Sequence, residues 1–253
     1  MQYKIEGLDC GTVVVNDPDN KISGGGSVKL GYMQSVDENR HTGARFIFDL
    51  PEKGTLTSGM LPKLFTYSSY GIINIKLENA TSVGNNACKD MEALCEVYLP
   101  NAVSIGESAF ENCVNLGVID CPECLSIGAN AFKYTSRYEY HLANINFLKL
   151  QSIGANAFED CCFEYQNEPR YTIIQFPEVR TIGAEAFKNS YDLGDVSFPK
   201  VESIGNDAFA GMSLSDGMDR KITISLPSSR REQFEPNLST YGIDTEKHIV
   251  NWV

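Results

Sequence analysis

The ten residues SIGESAFENC, at positions 104–113, contain the phrase that decides the fold of this chain. An aliphatic residue and a glycine precede two mostly polar residues, an alanine and a bulky apolar residue, and a cysteine, methionine or small residue comes three positions later. The phrase occurs six times, with its glycine at Gly84, Gly106, Gly128, Gly154, Gly183 and Gly205. These glycines are 22, 22, 26, 29 and 22 residues apart. A period of roughly 20 to 50 residues predicts a solenoid of stacked coils.

Each coil is numbered from its glycine, which is position 0. The residues at +3, +4 and +7, such as Ala109, Phe110 and Cys113, would share one face of a short helix, because an α-helix has 3.6 residues per turn. We therefore expect the residues at +4 to form a buried ladder of rings, made by Phe110, Phe132, Phe158, Phe187 and Phe209. The glycine would allow a tight entry turn, through either a positive φ or a close backbone contact.

Further along each coil, apolar and polar residues alternate up to a proline, as in Val97-Tyr98-Leu99-Pro100 and Val196-Ser197-Phe198-Pro199. Such alternation indicates a strand with one buried face. Equivalent runs contain Ile75, Ile119, Ile145, Ile174 and Ile224. The sequence therefore predicts seven strands in one parallel sheet.

The two ends of the chain differ from the repeats. Residues 1–56 contain short β-like runs separated by Asp, Asn and Gly, and are predicted to form a β-rich N-terminal cap. Residues 57–227 form the predicted solenoid of about seven coils. Residues 228–253 are predicted to form a C-terminal cap, with a helix near 230–234 and a strand near 248–253.

Composition excludes several classes of partner. The net charge is −12 and no stripe of Lys or Arg occurs, which argues against nucleic acid and against an anionic membrane surface. No apolar run reaches the ~20 residues of a membrane span. The first fifteen residues do not resemble a secretory signal, which leaves three readings open: an intracellular protein, a protein whose export signal was removed, or an exported phage or particle component. We expect a monomer without a cofactor.

Five of the eight cysteines occupy positions that hold core residues in other coils, which argues against a disulfide framework: Cys88, Cys113, Cys121, Cys124 and Cys161. Cys121 and Cys124 have the spacing of a zinc-binding or redox pair. The equivalent positions hold Leu99 and Ala102, and no second pair or histidine cluster supplies further ligands. We predict that both thiols are buried, reduced and free of metal. His41, His141 and His248 lie in different regions, so no catalytic pair is recognisable.

The phrase Ser-Ile-Gly-x-x-Ala-Phe-x-x-Cys, followed by Leu, a short strand and Pro, resembles the BspA-type leucine-rich repeat of bacterial surface proteins and phage-encoded proteins. Residues 104–113 match at every fixed position, and the resemblance extends over about residues 57–227. Cys88, Thr135 and Ser190 depart from the pattern. The resemblance implies a right-handed α/β solenoid, with one parallel sheet and short helices on the opposite side. It also implies adhesion or protein binding at the cell surface or outside the cell, with no catalytic residues and no metal.

The third and fourth coils carry insertions between the predicted helix and strand, and adjacent coils should present both on one edge. They are rich in Tyr and Arg, which are enriched in binding hot spots. The candidate binding residues are Tyr134, Arg137, Tyr138, Tyr140, His141, Phe163, Tyr165, Arg170 and Tyr171. Their aromatic rings could instead pack on each other to cover the coil.

A second candidate surface is the outward side of the strands. It carries Lys76, Tyr98, Asp120, Asn146 and Gln175. Solenoids often bind along such a face, although a merely solvated sheet has the same composition. The sequence favours a noncatalytic protein-binding or adhesion module; the alternative is a carbohydrate-binding surface protein that uses the Tyr-rich edge.

Overall fold

Two ladders of parallel strands run along the repeat array in the computed structural model of this chain. The structure describes the backbone of residues 12–15, 28–31, 33–34 and 44–48. It further describes residues 53–58, 73–92, 94–136, 142, 144–163, 174–214 and 221–253. The chain is a β-solenoid of stacked coils, as the sequence predicted.

The first ladder contains the strands that precede the prolines. In the repeats they are β6 (Ile73–Leu77), β8 (Leu94–Tyr98), β10 (Val118–Asp120), β12 (Asn144–Asn146), β14 (Ile174–Gln175), β16 (Val196–Ser197) and β18 (Ile222–Leu226). All seven occur where the sequence predicted them. The prediction of one sheet is wrong, because the ladder is divided between β12 and β14. The break lies between the two coils that carry insertions.

The second ladder was not predicted from the sequence. It consists of β5 (Gly54–Leu56), β7 (Ala80–Val83), β9 (Ser104–Ile105), β11 (Ser126–Ile127), β13 (Ser152–Ile153), β15 (Thr181–Ile182) and β17 (Ser203–Ile204). These strands form one seven-stranded parallel sheet without a break. Most of them have only two residues, too few to show an alternating pattern.

The glycine that follows each of these strands is required by a close approach between coils. A Cβ added at Gly154 would lie 2.5 Å from the carbonyl carbon of Gly128, which is the glycine of the preceding coil. The amide of Gly154 also donates to the carbonyl of Ile127, at 2.8 Å. The repeat glycines do not have a positive φ. The sequence left two reasons for glycine open, a positive φ and a close backbone contact. The close backbone contact is therefore the one that applies.

The segment after each glycine is a run of turns, so the predicted short helices are wrong. Positive φ values between 52° and 71° occur at +2 and +6 in all six coils, at Asn86, Asp90, Ser108, Asn112, Asn130, Tyr134, Asn156, Asp160, Glu185, Asn189, Asp207 and Gly211. A left-handed residue at every fourth position prevents an α-helix.

Hydrogen bonds in this run alternate between two directions. The Ala87 amide donates to the Gly84 carbonyl within its own coil, at 3.3 Å. The next amide, Cys88, donates to the Ala109 carbonyl in the following coil, at 2.7 Å. The backbone groups are thus satisfied between coils, as in a sheet, rather than along a helix.

The rings at +4 form the predicted buried ladder. Phe110, Phe132, Phe158, Phe187 and Phe209 are each 0% exposed. Successive rings stack with centroid distances of 5.3, 5.2, 5.3 and 5.8 Å. The apolar interior is therefore continuous through all of these coils, including the two with insertions.

Strands of the N-terminal region continue both ladders. This region contains β1 (Thr12–Val15), β2 (Val28–Gly31), β3 (Met33–Gln34) and β4 (Ala44–Phe48). The pairs β1–β2 and β3–β4 are antiparallel, whereas β4 is parallel to β6 and β5 is parallel to β7. The proposed cap at residues 1–56 thus includes strands that stack on the repeats.

The C-terminal region covers the last coil. It contains a 3-10 turn at Ser228–Arg230, helix α1 (Arg231–Phe234), a second 3-10 turn at Glu235–Asn237 and strand β19 (His248–Trp252), which pairs in parallel with β18. The carbonyls of Thr240 and Tyr241 accept hydrogen bonds from the amides of Asp207 and Phe209, at 2.8 and 2.9 Å. The cap therefore takes the place of a further coil.

Candidate binding surfaces

The two insertions rejoin the solenoid on adjacent coils. The Leu142 amide donates to the Cys162 carbonyl at 3.0 Å, and Leu142 and Phe163 form a parallel bridge. The Phe163 amide donates to the Tyr191 carbonyl at 2.9 Å. The remaining predicted residues of the insertions lie outside the described residues: Arg137, Tyr138, Tyr140, His141, Tyr165, Arg170 and Tyr171. Their place on this edge stays a prediction.

Tyr134 lies at the start of the first insertion and has an unusual backbone conformation. Its φ is 59°, and it occupies the +6 position, where the other coils have Asp, Asn or Gly. A bulky residue with a positive φ is rare and strained. The amide of Tyr134 donates to the Glu159 carbonyl at 3.0 Å, which holds the backbone in place.

The side chain of Tyr134 belongs to a small charged cluster. The Lys133 ammonium lies 5.0 Å from the centroid of the tyrosine ring and 2.6 Å from the Glu159 carboxylate. The hydrogen bond that the Lys133 ammonium donates to the Glu159 carboxylate raises the pKa of Lys133. The ring is therefore held against a cation that stays protonated at neutral pH.

Tyr191 is a second tyrosine on this edge, and the sequence analysis missed it. Its side chain is 44% exposed, and its backbone bridges Cys162 on one side and Ser213 on the other. It stands at +8, where two of the neighbouring coils have Cys162 and Ser213. The sequence signal that could have identified Tyr191 is an aromatic residue at +8, directly beside the insertion of the fourth coil. We refer to the surface around Tyr134, Cys162 and Tyr191 as the insertion edge.

Phe163 does not contribute to the insertion edge. It is 1% exposed, and its ring packs against Phe158 with a centroid distance of 6.3 Å. We therefore exclude it from the candidate binding surface. Cys162 is partly exposed, and burial raises the pKa of its thiol to about 11. The thiol is thus protonated at neutral pH, which makes it a poor nucleophile.

The strand face carries polar side chains that contact each other. The Tyr98 hydroxyl donates to the Glu96 carboxylate at 3.1 Å, and the Asn146 amide donates to the Asp120 carboxylate at 2.7 Å. Lys76 forms an ion pair with Glu78 at 2.7 Å, and Gln175 is exposed next to the break in the sheet. This arrangement fits a solvated hydrogen-bonded ladder as well as a binding face.

Cys121 and Cys124 are buried, as predicted, with 0% exposure. Each thiol donates to a backbone carbonyl at 3.3 Å, Cys121 to Ala102 and Cys124 to Ser126. The neighbouring Cys124 side chain and burial raise the pKa of Cys121. The described ranges of the chain contain no group of three or more His, Cys, Asp or Glu side chains placed to hold a metal ion. The reduced, metal-free state of the pair stays a prediction.

The Cys, Thr and Ser residues at +7 share a role that the sequence did not reveal. Each donates to the carbonyl at +4 of the preceding coil: Cys113 to Cys88, Thr135 to Phe110, Cys161 to Phe132 and Ser190 to Phe158. Cys, Thr and Ser can replace one another at +7 because each supplies a small buried hydrogen-bond donor. Cysteine at this position is therefore more than a small hydrophobic residue.

Charges at +5 alternate through the first five coils, whereas the sixth coil has Ala210 at this position. The sequence of residues is Lys89, Glu111, Lys133, Glu159 and Lys188. Lys89 pairs with Glu111 at 3.0 Å, and Lys133 pairs with Glu159 at 2.6 Å. This column of charges borders the insertion edge on the third and fourth coils.

The match to a family profile agrees with this repeat architecture. The profile of the BspA type leucine rich repeat region matches the chain in six copies, over residues 62–173 and 160–235. The crystal structure of a T. pallidum leucine-rich repeat protein is 19% identical, with a TM-score of 0.46, and the match covers 83% of this chain and 93% of that chain. A leucine-rich cell surface protein from Faecalibacterium prausnitzii A2-165 is 15% identical, with a TM-score of 0.26 and coverage of 95% and 94%. No curated protein matches the chain.

Helices make up little of the fold. Among the residues that the structure describes, no helix has the length and apolar character needed to cross a membrane.

Proposed function

Because the chain belongs to the BspA-type leucine-rich repeat family, we propose that it is a noncatalytic protein-binding or adhesion module that contacts its partner through the insertion edge. The observation that carries this proposal is the conformation of Tyr134, whose φ is 59° at a position that otherwise holds Asp, Asn or Gly. The repeat backbone imposes a positive φ at this position in every coil. A bulky residue there costs about 1–3 kcal/mol, and a role of the tyrosine side chain in binding would account for its presence in place of Asp, Asn or Gly. We propose that the tyrosine and arginine residues of both insertions extend the same surface.

We further propose that the protein acts at the cell surface or outside the cell. The Faecalibacterium prausnitzii protein is described as a cell surface protein. The net charge of −12 favours solubility and disfavours nonspecific contact with nucleic acid. The noncatalytic assignment is supported by the thiols of the described residues, which are mostly buried, and by histidines that lie far apart in the sequence.

A carbohydrate ligand is the second candidate, and the exposure of Tyr191 favours it. A tyrosine that is 44% exposed can stack its ring on the apolar face of a sugar. A protein partner and a glycan would both use the insertion edge, so direct binding measurements must separate them.

The experiment begins with the intact chain immobilised on beads and on a glycan array. Proteins captured from bacterial and host lysates are identified by mass spectrometry, and the array identifies glycans. The strongest ligand is then titrated against the wild type and against the double variant Tyr138→Ser/Tyr165→Ser. We expect the double variant to bind at least about tenfold more weakly, because aromatic hot-spot residues contribute about 2 kcal/mol or more each.

Tyr98→Ser is the matched control, because Tyr98 lies on the strand face. It should leave the affinity unchanged, and the double variant should leave the melting temperature nearly unchanged. A large loss of stability with binding retained would show that the insertion aromatics serve packing. The strand face would then become the leading candidate surface.

A further inference from the structure

His248 is a buried histidine in the strand that closes the C-terminal end of the solenoid. It is 3% exposed, lies at the start of β19 and pairs with Ile222 of β18. Neither the fold nor the proposed function uses an ionisable group at this position. The contacts of the ring indicate what its protonation would change.

The ring is bound in its neutral form. Its Nδ1 accepts a hydrogen bond from the Asp244 amide at 3.1 Å, so the proton of the neutral ring is on Nε2. The Nε2 atom is buried and makes no hydrogen bond of full geometry within the part of the chain that the structure describes, although the Met212 backbone favours the protonated ring. A second proton would have to bind Nδ1, where it would face the N–H of Asp244. Protonation therefore replaces a hydrogen bond by two opposed donors and places a charge in the interior.

The charged groups around the ring do not offset this cost. Burial lowers the pKa of His248; the Asp244 carboxylate and the backbone of Met212 act in the opposite direction, and Lys247 adds to the lowering. Asp244 and Lys247 belong to the turn that precedes β19. The facing strand β18 contributes the apolar Ile222, and the Lys221 ammonium next to it is bonded to the Thr245 carbonyl. The pKa of His248 is therefore lower than the ordinary value of a histidine.

The turn that holds His248 connects the two parts of the cap. The amides of Lys247 and His248 both donate to the Asp244 carbonyl, at 3.0 and 2.7 Å. Before this turn lies the loop whose Thr240 and Tyr241 carbonyls cover the amides of the last coil. After it lies β19, which covers the edge of β18. A change at His248 thus acts on both contacts that close the solenoid.

We propose that the C-terminal cap is a pH-sensitive closure of the solenoid, in which protonation of His248 releases β19 from β18. Acid opening leaves the outer edge of β18 without a partner strand. An uncovered strand edge is a site for pairing with another chain. The repeats themselves stay folded, because each coil depends on its neighbours and not on the cap alone.

The direction of the pH effect follows from linkage. In the open cap His248 titrates near 6.5, whereas the closed cap binds the proton only at lower pH. The stabilisation of the closed state is present above pH 6.5 and is lost as the pH falls from 6.5 through the lowered pKa. The ratio of open to closed cap rises up to about tenfold for each unit by which the pKa is lowered.

Trp252 provides a local probe of this opening. It is the single tryptophan of the chain, lies on β19 four residues after His248, and stacks under Arg231 at 5.5 Å. The intact chain is titrated from pH 7.5 to 5.0, which stays above the pKa of about 4 of ordinary carboxylates. We expect the Trp252 emission to shift to longer wavelength and its quenching by acrylamide to increase, while the circular dichroism of the repeats is unchanged.

His248→Asn is the decisive variant, because its Oδ1 can accept the Asp244 amide but does not titrate. It should show no fluorescence transition over this pH range, whereas His41→Gln/His141→Gln should retain the wild-type transition. A transition that persists in His248→Asn, or its absence in the wild type, would overturn the proposal. If His248→Asn does not fold, amide hydrogen exchange of the wild type decides. After correction for the intrinsic exchange rate, the protection of the amides in β18 and β19 must decrease as the pH is lowered. The protection of the amides in β10 and β11 must stay unchanged.

Discussion

The rings of Phe132 and Phe158 stack with 5.2 Å between their centroids and 11° between their planes. Their coils are 26 residues apart in sequence, yet the contact is the same as that between Phe110 and Phe132, which are 22 residues apart. The insertion therefore leaves the apolar interior unchanged. The extra residues of these coils are predicted to lie at the insertion edge, where a surface can vary without a cost in the core.

Replacement of a central ring should strongly destabilise the protein. Phe158 is fully buried and stacks on rings from both neighbouring coils. Phe158→Ala is expected to lower the free energy of unfolding by about 3–5 kcal/mol, because it removes apolar contacts and leaves a cavity. Denaturation by urea, followed by circular dichroism, measures this. Phe158→Leu is the control and should lose much less; equal losses would contradict a stacked ladder.

The repeat glycines should differ in their tolerance of alanine. At Gly154 an added Cβ would lie 2.5 Å from the Ala129 nitrogen, whereas at Gly84 the nearest atom, the Leu56 carbonyl oxygen, would be at 3.0 Å. Gly154→Ala is expected to cost about 1–3 kcal/mol or more through overpacking between coils. Gly84→Ala should cost clearly less, as judged from the thermal unfolding of both variants. The reverse order would show that close approach is not the reason for glycine.

The Cys121 and Cys124 thiols should be replaceable by apolar residues. We expect Cys121→Val/Cys124→Ala to change the free energy of unfolding by less than about 1.5 kcal/mol, since swaps of similar volume are tolerated in a core. The purified wild type should contain no stoichiometric zinc by elemental analysis. One zinc ion per chain, lost in the double variant, would assign the pair to a metal site instead.

Reversal of one charge at +5 should disturb the stacking of three coils. Glu159→Lys would place three lysines, Lys133, Lys188 and the new one, on successive coils. We expect a loss of about 1–3 kcal/mol, because Glu159 is mostly buried and paired. The loss should shrink in 1 M salt, which screens like charges.

Glu178→Lys is the control for this charge reversal. Glu178 also pairs with a lysine, Lys200, but both side chains are more than 40% exposed. Exposed pairs contribute at most about 1 kcal/mol. A loss for Glu178→Lys as large as that for Glu159→Lys would refute a special role of the charges at +5.

The sequence predicted the solenoid, the buried rings and the first set of strands, because each depends on a repeated apolar side chain. The sequence did not predict the conformation of the segment after each repeat glycine, which is a run of turns and not the expected short helix. Residues at +3, +4 and +7 point inward from a run of turns as well as from a helix. The distinguishing signal was Asn or Asp at +2 and +6, as in Asn156 and Asp160, since these residues tolerate a positive φ.

The candidate site was less predictable than the fold. The composition of the insertions indicated tyrosines and arginines, but it did not separate the buried Phe163 from the exposed Tyr191. The strained backbone of Tyr134 depends on its hydrogen bond to the next coil, which is a contact between distant residues. The positive φ is shared by the +6 position of all six coils, so the repeat register indicates it, but no local pattern in the sequence contains the contact with Glu159.

The alternation of lysine and glutamate at +5 restricts how such an array can be lengthened. Every coil offers the same backbone donors and acceptors to its neighbours, so these groups alone would permit the duplication of any single coil. Duplicating one coil would place two lysines or two glutamates next to each other in the column. Duplicating two consecutive coils would preserve the alternation throughout. A longer version of this chain that keeps the alternation is therefore built by adding coils in pairs.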